Sequence, residues 1–133
     1  ELGDDLGWKI SNERFYFKPG LTWTGVTSGL FNCRLYRQGF IFDSGANGLF
    51  STKELGVSYL SALLNSSVAA SAFSFLNPTL NFGAGTVNNM PVIRPSASDY
   101  SIVEDLAHRC FDASEADYNS FETSWDFGHN PLV

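Results

Sequence analysis

The sequence predicts an α+β fold, a small mixed or antiparallel sheet packed by one long helix and one or two shorter ones. Three observations lead there. Short apolar and β-branched runs, separated by turn dipeptides, fill residues 1–50. Apolar residues then recur at three-to-four spacing from Tyr59 to Leu76. A second helical pattern follows near residue 100. At 133 residues, with 44% hydrophobic and 15% aromatic content, the chain has enough apolar mass for one core. The expected organisation is a single domain over 1–133. A β-rich core with the long helix would occupy 8–95, and a helical acidic segment 96–133.

Each element has a local reason. Phe15-Tyr16-Phe17 is a short apolar run that Pro19-Gly20 stops. Leu21-Thr22-Trp23-Thr24-Gly25-Val26 alternates in the manner of a half-buried strand. Cys33 to Arg37, the turn Gln38-Gly39 and Phe40-Ile41-Phe42-Asp43 read as a hairpin, and Gly45-Ala46-Asn47-Gly48 as a further turn. Ser51-Thr52-Lys53-Glu54 fits a capping box opening the long helix, in which Tyr59, Leu60, Leu63, Leu64, Val68, Ala72, Phe75 and Leu76 form the apolar face and Pro78 ends it. Gly83-Ala84-Gly85 reads as a loop, and Thr86 to Ile93 as an extended stretch, so the sheet is expected from residues 8–50 and 84–93. A second helix is expected over Asp99–Phe111 with Ile102, Val103, Leu106 and Cys110 on one face. Ser114-Glu115-Ala116-Asp117 resembles another helix start, its acids suited to the N-terminal dipole.

The formal net charge of −6 is unevenly distributed. Residues 1–95 hold seven Lys/Arg against six Asp/Glu, giving +1, whereas 96–133 hold Arg109 against eight acids, giving −7. A basic patch is therefore confined to the first part, around Lys18, Arg34 and Arg37. The acidic part repels phosphate and is expected to face a protein partner, a basic neighbouring domain or solvent. A freestanding DNA-binding domain of this size is usually basic, so a DNA-binding role here leans on a larger protein. The chain starts without Met and contains only Met90, as an excised or processed piece would.

Cys33 and Cys110 cannot build a disulfide framework and show no zinc spacing; two buried free thiols and a cytoplasmic location are expected. No charged residue occurs from Leu55 to Ile93. That stretch is nevertheless rich in hydroxyls and amides, Ser58, Ser61, Asn65, Ser66, Ser67, Ser71 and Ser74 among them, so it is expected to bury against protein and not in a membrane.

Several motifs imitate catalytic ones. Phe40-Ile41-Phe42-Asp43-Ser44-Gly45-Ala46 matches the way retroviral-type aspartic proteases present a carboxylate. Such a fold also needs a downstream apolar-apolar-Gly element, and Pro91-Val92-Ile93-Arg94 has no Gly; a strand entering an Asp-Ser-Gly turn is the simpler reading. Phe82-Gly83-Ala84-Gly85 lacks the Gly-x-Gly-x-x-Gly spacing of a nucleotide loop. Asn77-Pro78 is followed by Thr79 where an adenine-gripping Asn-Pro-Pro-aromatic motif has its second proline. His108 and His129 have no nucleophile pattern nearby. What remains is a mixture of cationic and aromatic residues, Lys18, Trp23, Arg34, Tyr36 and Arg37, of the kind that grips phosphate and stacks on bases, with Trp23 and Tyr36 equally suited to a core.

Four segments carry a resemblance. They are Tyr16 to Thr24; Gly39 to Asp43 with its turn; Tyr59 to Ser66 continuing through Leu76 to Phe82 and Met90-Pro91-Val92; and Ser120-Phe121-Glu122-Thr123-Ser124-Trp125-Asp126-Phe127. In order and wording the chain, from about Trp8 to Pro131, resembles the PglX-type adenine methyltransferases of BREX phage-defence systems, in the part that follows the catalytic domain. The Tyr-Leu-x-x-Leu-Leu-Asn-Ser helix is also similar to specificity domains of restriction–modification enzymes. The resemblance implies a target-recognition-domain-like fold and a role in reading target DNA, while an upstream domain transfers a methyl group from S-adenosylmethionine to adenine. It implies no catalytic, cofactor-binding or metal-binding residue within these 133 residues. Its partners would be double-stranded DNA, the catalytic domain of the same chain and other defence-system proteins. The candidate DNA contacts are Lys18, Thr22, Thr24, Arg34 and Arg37, with Asn81 as a weaker one. The alternatives are a protein-interaction module, docking through the uncharged helix or the acidic tail, and an aspartic protease using Asp43.

Overall fold

The alternation at Leu21-Thr22-Trp23-Thr24 produces the central strand of the sheet. The computed structural model describes residues 12–43, 45–51 and 54–132. Within them β1 (Gly20–Thr24) lies between β2 (Cys33–Tyr36) and β3 (Ala46–Leu49), both antiparallel to it. Because successive side chains point to opposite faces, Leu21 and Trp23 enter the core, at 0% and 4% exposure, while Thr22 and Thr24 point the other way. Leu35 and Leu49 flank Leu21, and Cys33 sits opposite Trp23. Phe31, Leu64, Phe73, Phe82, Val87 and Met90 complete the inner side. The α+β class is as the sequence predicts, with four helices following the three strands.

The strand pairing differs from the expected hairpin. Cys33–Tyr36 pairs back onto β1, and Phe40-Ile41-Phe42 forms no strand. Phe17 takes that segment instead: its N–H donates to the Phe40 carbonyl at 2.9 Å and its carbonyl accepts from Gly39 N–H at 3.3 Å. Aromatic packing explains the preference. Phe42 packs edge-on against Tyr16 at 5.3 Å and against Phe50 at 5.3 Å, and Phe15 stacks on Phe50 at 4.6 Å. The expected turn at Gly45–Gly48 is largely β3 itself. Gly20 is needed because a Cβ there would lie 2.7 Å from the Leu49 carbonyl oxygen, and a Cβ on Gly48 would crowd the Phe50 ring at 3.0 Å.

The single long helix is divided. The segment forms α1 (Val57–Leu64) and α2 (Ser67–Leu76), bent by 67°. Ser66 caps α2, its Oγ accepting from Ala69 N–H at 3.1 Å. Asn65 turns its amide onto β2, where Oδ1 accepts from Cys33 N–H at 2.9 Å and Nδ2 donates to the Cys33 carbonyl at 3.0 Å. Both side chains compete with the helical backbone, and that competition breaks the helix. The Ser51–Glu54 capping box does not open α1, which starts after Gly56 without a local side-chain cap. The Ser51 hydroxyl donates to the Leu55 carbonyl, and Glu54 pairs with Arg94 at 2.8 Å; Thr52 and Lys53 lie outside the described residues. Among the described residues no single helix is long and apolar enough to cross a membrane. The bent α1–α2 pair passes on length and composition, and its Leu64, Ala69 and Phe73 belong to the protein core.

Residues 84–93 do not join the sheet. They open with a short helix, α3 (Ala84–Asn88), whose Val87 packs inward with Met90. A three-residue spacing is helical, so the two apolar residues reach the core together only if the chain coils there. The extended contact occurs earlier, where Thr27 N–H donates to Leu80, Phe82 N–H to Gly25 at 2.7 Å, and Trp23 Nε1–H to Phe82 at 2.7 Å.

The second helix, α4 (Ala97–Asn119), is longer than expected and absorbs the Ser114–Asp117 start. Its docked side is not the apolar one. Tyr100 hydroxyl accepts from Gly56 N–H, Glu104 Oε1 accepts from Tyr59 N–H, both at 2.9 Å, and the Tyr59 and Tyr100 rings stack at 5.5 Å. Unpaired N–H groups at the start of α1 thus find their acceptors on α4. That leaves Ile102 and Leu106 outward, at 58% and 49% exposure, with Cys110 exposed as well. Of the two thiols expected inside, only Cys33 is buried.

Glu104→Ala should therefore lower stability by about 1–2 kcal/mol in urea titration, the scale of losing a helix N-terminal acceptor. Asn65→Ala should cost about 1 kcal/mol, and Asn65→Asp, which cannot donate to the Cys33 carbonyl, should not restore it.

Candidate nucleic-acid interface

Directly opposed residues of an antiparallel pair share a face, so the register defines the outer surface of the sheet. Thr22 lies opposite Arg34 on one side and Gly48 on the other, and Thr24 opposite Ala46. Thr22, Thr24 and Arg34 therefore occupy one face; Arg34 and Thr24 are exposed and Thr22 half-buried. Arg34 makes no ion pair among the described residues. Gly48, in the middle of this face, is half-buried beneath the Phe50 and Phe42 rings, so the open part of the face is the Thr22, Thr24 and Arg34 side.

The same face is closed at one end by aromatics. Gly20 and Tyr36 are opposed there, under Phe50, and the Tyr36 hydroxyl is buried without a hydrogen-bond partner among the described residues. Lys18 precedes Gly20 and Arg37 follows Tyr36, so both stand at this closed end. Lys18 Nζ lies 5.9 Å from the centre of the Phe15 ring. Arg37 is 70% exposed and forms an ion pair with Glu115 of α4. Its charge is therefore partly met within the chain, and a phosphate would have to compete with a carboxylate.

The structure separates the remaining residues. Asn81 is exposed and bridges to Val26, beyond the far end of β1 from Lys18 and Arg37. Trp23 is core, its indole N–H used by Phe82, so it offers no ring to a base. Arg14 escaped the sequence reading. Its guanidinium lies 4.8 Å from the centre of the Phe15 ring that Lys18 also approaches, and the only sequence signal was a cation four residues before another.

The imitations of catalytic motifs have structural roles. The Asp43 carboxylate accepts from Gly45 N–H at 2.8 Å and Ala46 N–H at 3.3 Å, holding the turn into β3; Ser44 lies outside the described residues. Gly83 does open a helix, contrary to the sequence reading, but α3 has five residues, no strand leads directly into it among the described residues, and no acid occurs between Gly83 and Ile93. Asn77 and Thr79 satisfy each other, Nδ2 to the Thr79 carbonyl and Thr79 Oγ1 to Oδ1. His108 reaches Ser58 Oγ at 3.4 Å and so serves the α1–α4 contact. No cluster of His, Cys, Asp or Glu suited to a metal occurs among the described residues.

With this arrangement in view, similarity to known proteins is informative. No protein-family model matches the chain. It is 38% identical over 126 residues to the adenine-specific methyltransferase BrxX of Escherichia coli O9:H4 (strain HS), and 34% identical over 122 residues to the adenine-specific methyltransferase PglX of Lacticaseibacillus casei (strain Zhang). These alignments cover 93% and 92% of the chain. The chain is homologous to a segment of the PglX/BrxX adenine-specific methyltransferases. It spans about 10% of the length of these curated relatives. The resemblance read from the sequence is thus the relationship that the comparison finds.

Two ionisable groups are displaced, Cys33 behind the candidate face and Tyr36 at its closed end. Burial pushes the Cys33 thiol above its ordinary 9.0, against smaller opposing hydrogen bonds from Ser61 and Asn65, and burial likewise pushes Tyr36 above 10.0. In both, the fold favours the protonated form, so their contribution to stability is complete below the ordinary values and is lost as pH rises through the folded ones. Urea midpoints should begin to fall above about pH 9, and Cys33→Ala should remove the earlier part of that decline. At neutral pH a thiol reagent should label Cys110 rapidly and Cys33 only on unfolding.

Proposed function

We propose that this chain reads target DNA as part of a larger adenine-specific methyltransferase and performs no catalysis itself. The observation that carries the reading is the outer face of the sheet, where Thr22, Thr24 and Arg34 stand in register with Lys18 and Arg37 at its end. Arginine and lysine there would bind phosphate or guanine edges, and the threonine hydroxyls would contact phosphates or bases in a groove. Asn81 would meet DNA only if the duplex extended past the Val26 end of β1.

Homology to adenine-specific methyltransferases supports a division of labour. The catalytic domain of the parent chain would hold S-adenosylmethionine and the flipped adenine, and this segment would align that domain on its sequence. BREX-type phage defence in the bacterial cytoplasm is the setting proposed for it, with other defence proteins as further partners. The excess of acid beyond residue 95 means that the segment would bind DNA weakly alone and would depend on the parent for phosphate contacts.

The test is methylation of target sites by the parent enzyme carrying alanine at Lys18, Arg34 and Arg37. Loss of about tenfold or more is expected, with a shallower dependence on salt by roughly 0.9 in log–log slope per lost phosphate contact. Arg34→Ala should act more strongly than Arg37→Ala, since Arg37 is held by Glu115. Unchanged methylation by the triple variant would remove the sheet face from DNA recognition.

A further inference from the structure

One side of α4 is covered and the other is not. The helix has 23 residues, about 35 Å, and its Tyr100, Glu104, Ala107 and His108 side is turned to α1. On the opposite side, Ile102, Leu106, Arg109, Ala113 and Ala116 follow one another at alternating steps of four and three, an apolar stripe at Ile102 and Leu106 that two alanines continue past Arg109. Ile102 and Leu106 are 58% and 49% exposed along it. Asp105 and Asp112 line one flank and Asp117 the other, with Arg109 the one cation in the row. Beyond the helix, Ser124 is buried and its hydroxyl donates to Asn119 at 2.6 Å, which fixes the turn, while the neighbouring Trp125 is 100% exposed. An exposed indole on an ordered turn is a typical anchor for a protein partner.

Charge complementarity selects the occupant. The segment from residue 96 carries −7, so a second copy would set these aspartates against their equivalents and duplex DNA would be repelled. An amphipathic helix with apolar core positions and cationic flanks complements both the stripe and its borders. We propose that the outward face of α4, with Trp125 at its end, docks a lysine- or arginine-rich amphipathic helix of a protein partner. This is independent of the DNA reading, which uses the opposite charge and a different element.

The test uses the 133-residue chain and a labelled heptad-repeat peptide with leucine core positions and lysine flanks, followed by fluorescence anisotropy. Saturable binding is expected that weakens with salt and falls about tenfold or more for Ile102→Asp with Leu106→Asp, and also for Trp125→Ala. These side chains are exposed, so thermal melting should be unchanged. If the double aspartate variant misfolds, Asp105→Asn with Asp112→Asn serves in its place and should weaken binding while retaining the fold. The proposal is overturned if a glutamate-flanked peptide binds equally well, or if the substitutions leave binding unaltered. Sedimentation as a dimer that Leu106→Asp dissociates would assign the face to a second copy and overturn it too.

Discussion

The amide of Asn65 is the joint on which the arrangement depends. At the end of α1 it supplies the edge of β2 with one acceptor and one donor, as a neighbouring strand would. Backbone groups at a sheet edge otherwise remain open, so the contact both closes the edge and places the helix pair over the inner face. Ser66 then starts α2 in a new direction, which brings Ala69 and Phe73 onto Phe31 and Phe82. The joint works with the core cluster of Leu21, Trp23, Leu64 and Phe73, which holds the helices over the sheet.

A second dependence runs through α4. The start of α1 has no local side-chain cap and takes its acceptors from Tyr100 and Glu104. The acidic helix is thereby part of the fold of the uncharged region, although the two differ sharply in composition. Its orientation meets a hydrogen-bond demand as large as the burial it forgoes, since an unmet N–H near the core costs about 1–3 kcal/mol, comparable to what partial burial of Ile102 or Leu106 would contribute. The stacking of Tyr100 on Tyr59 adds to the side chosen.

These two joints arrange charge as well as packing. Arg37 reaches across from the end of β2 to Glu115, so the acidic helix restrains one cation of the basic sheet face while leaving Arg34 unrestrained. A pair this exposed contributes little to stability, and its main consequence is electrostatic. Phosphate would meet a graded surface, strongest at Arg34 and the Arg14–Lys18 corner, weakest toward α4. The acidic outer side would repel phosphate, and the chain as a whole is homologous to about a tenth of a much longer enzyme.

Much of this was legible in the order of residues. The class, the central strand at Leu21–Thr24, the helical character of 57–76, the helix near residue 100 and the uneven charge follow from periodicity and composition, which are local properties, and the relationship to adenine-specific methyltransferases came from the resemblance of four segments to that family. Four matters were decided only by tertiary contacts. β2 pairs with β1 because the Phe15–Phe42–Phe50 cluster claims the segment after Gly39. The long helix breaks because Asn65 and Ser66 find better partners than the helical backbone offers. Residues 84–88 coil because Val87 and Met90 must reach one core. The docked face of α4 is polar because α1 needed acceptors there. In each, a long-range partner outcompeted a local preference of a fraction of a kcal/mol, and a sequence read in windows records only that preference.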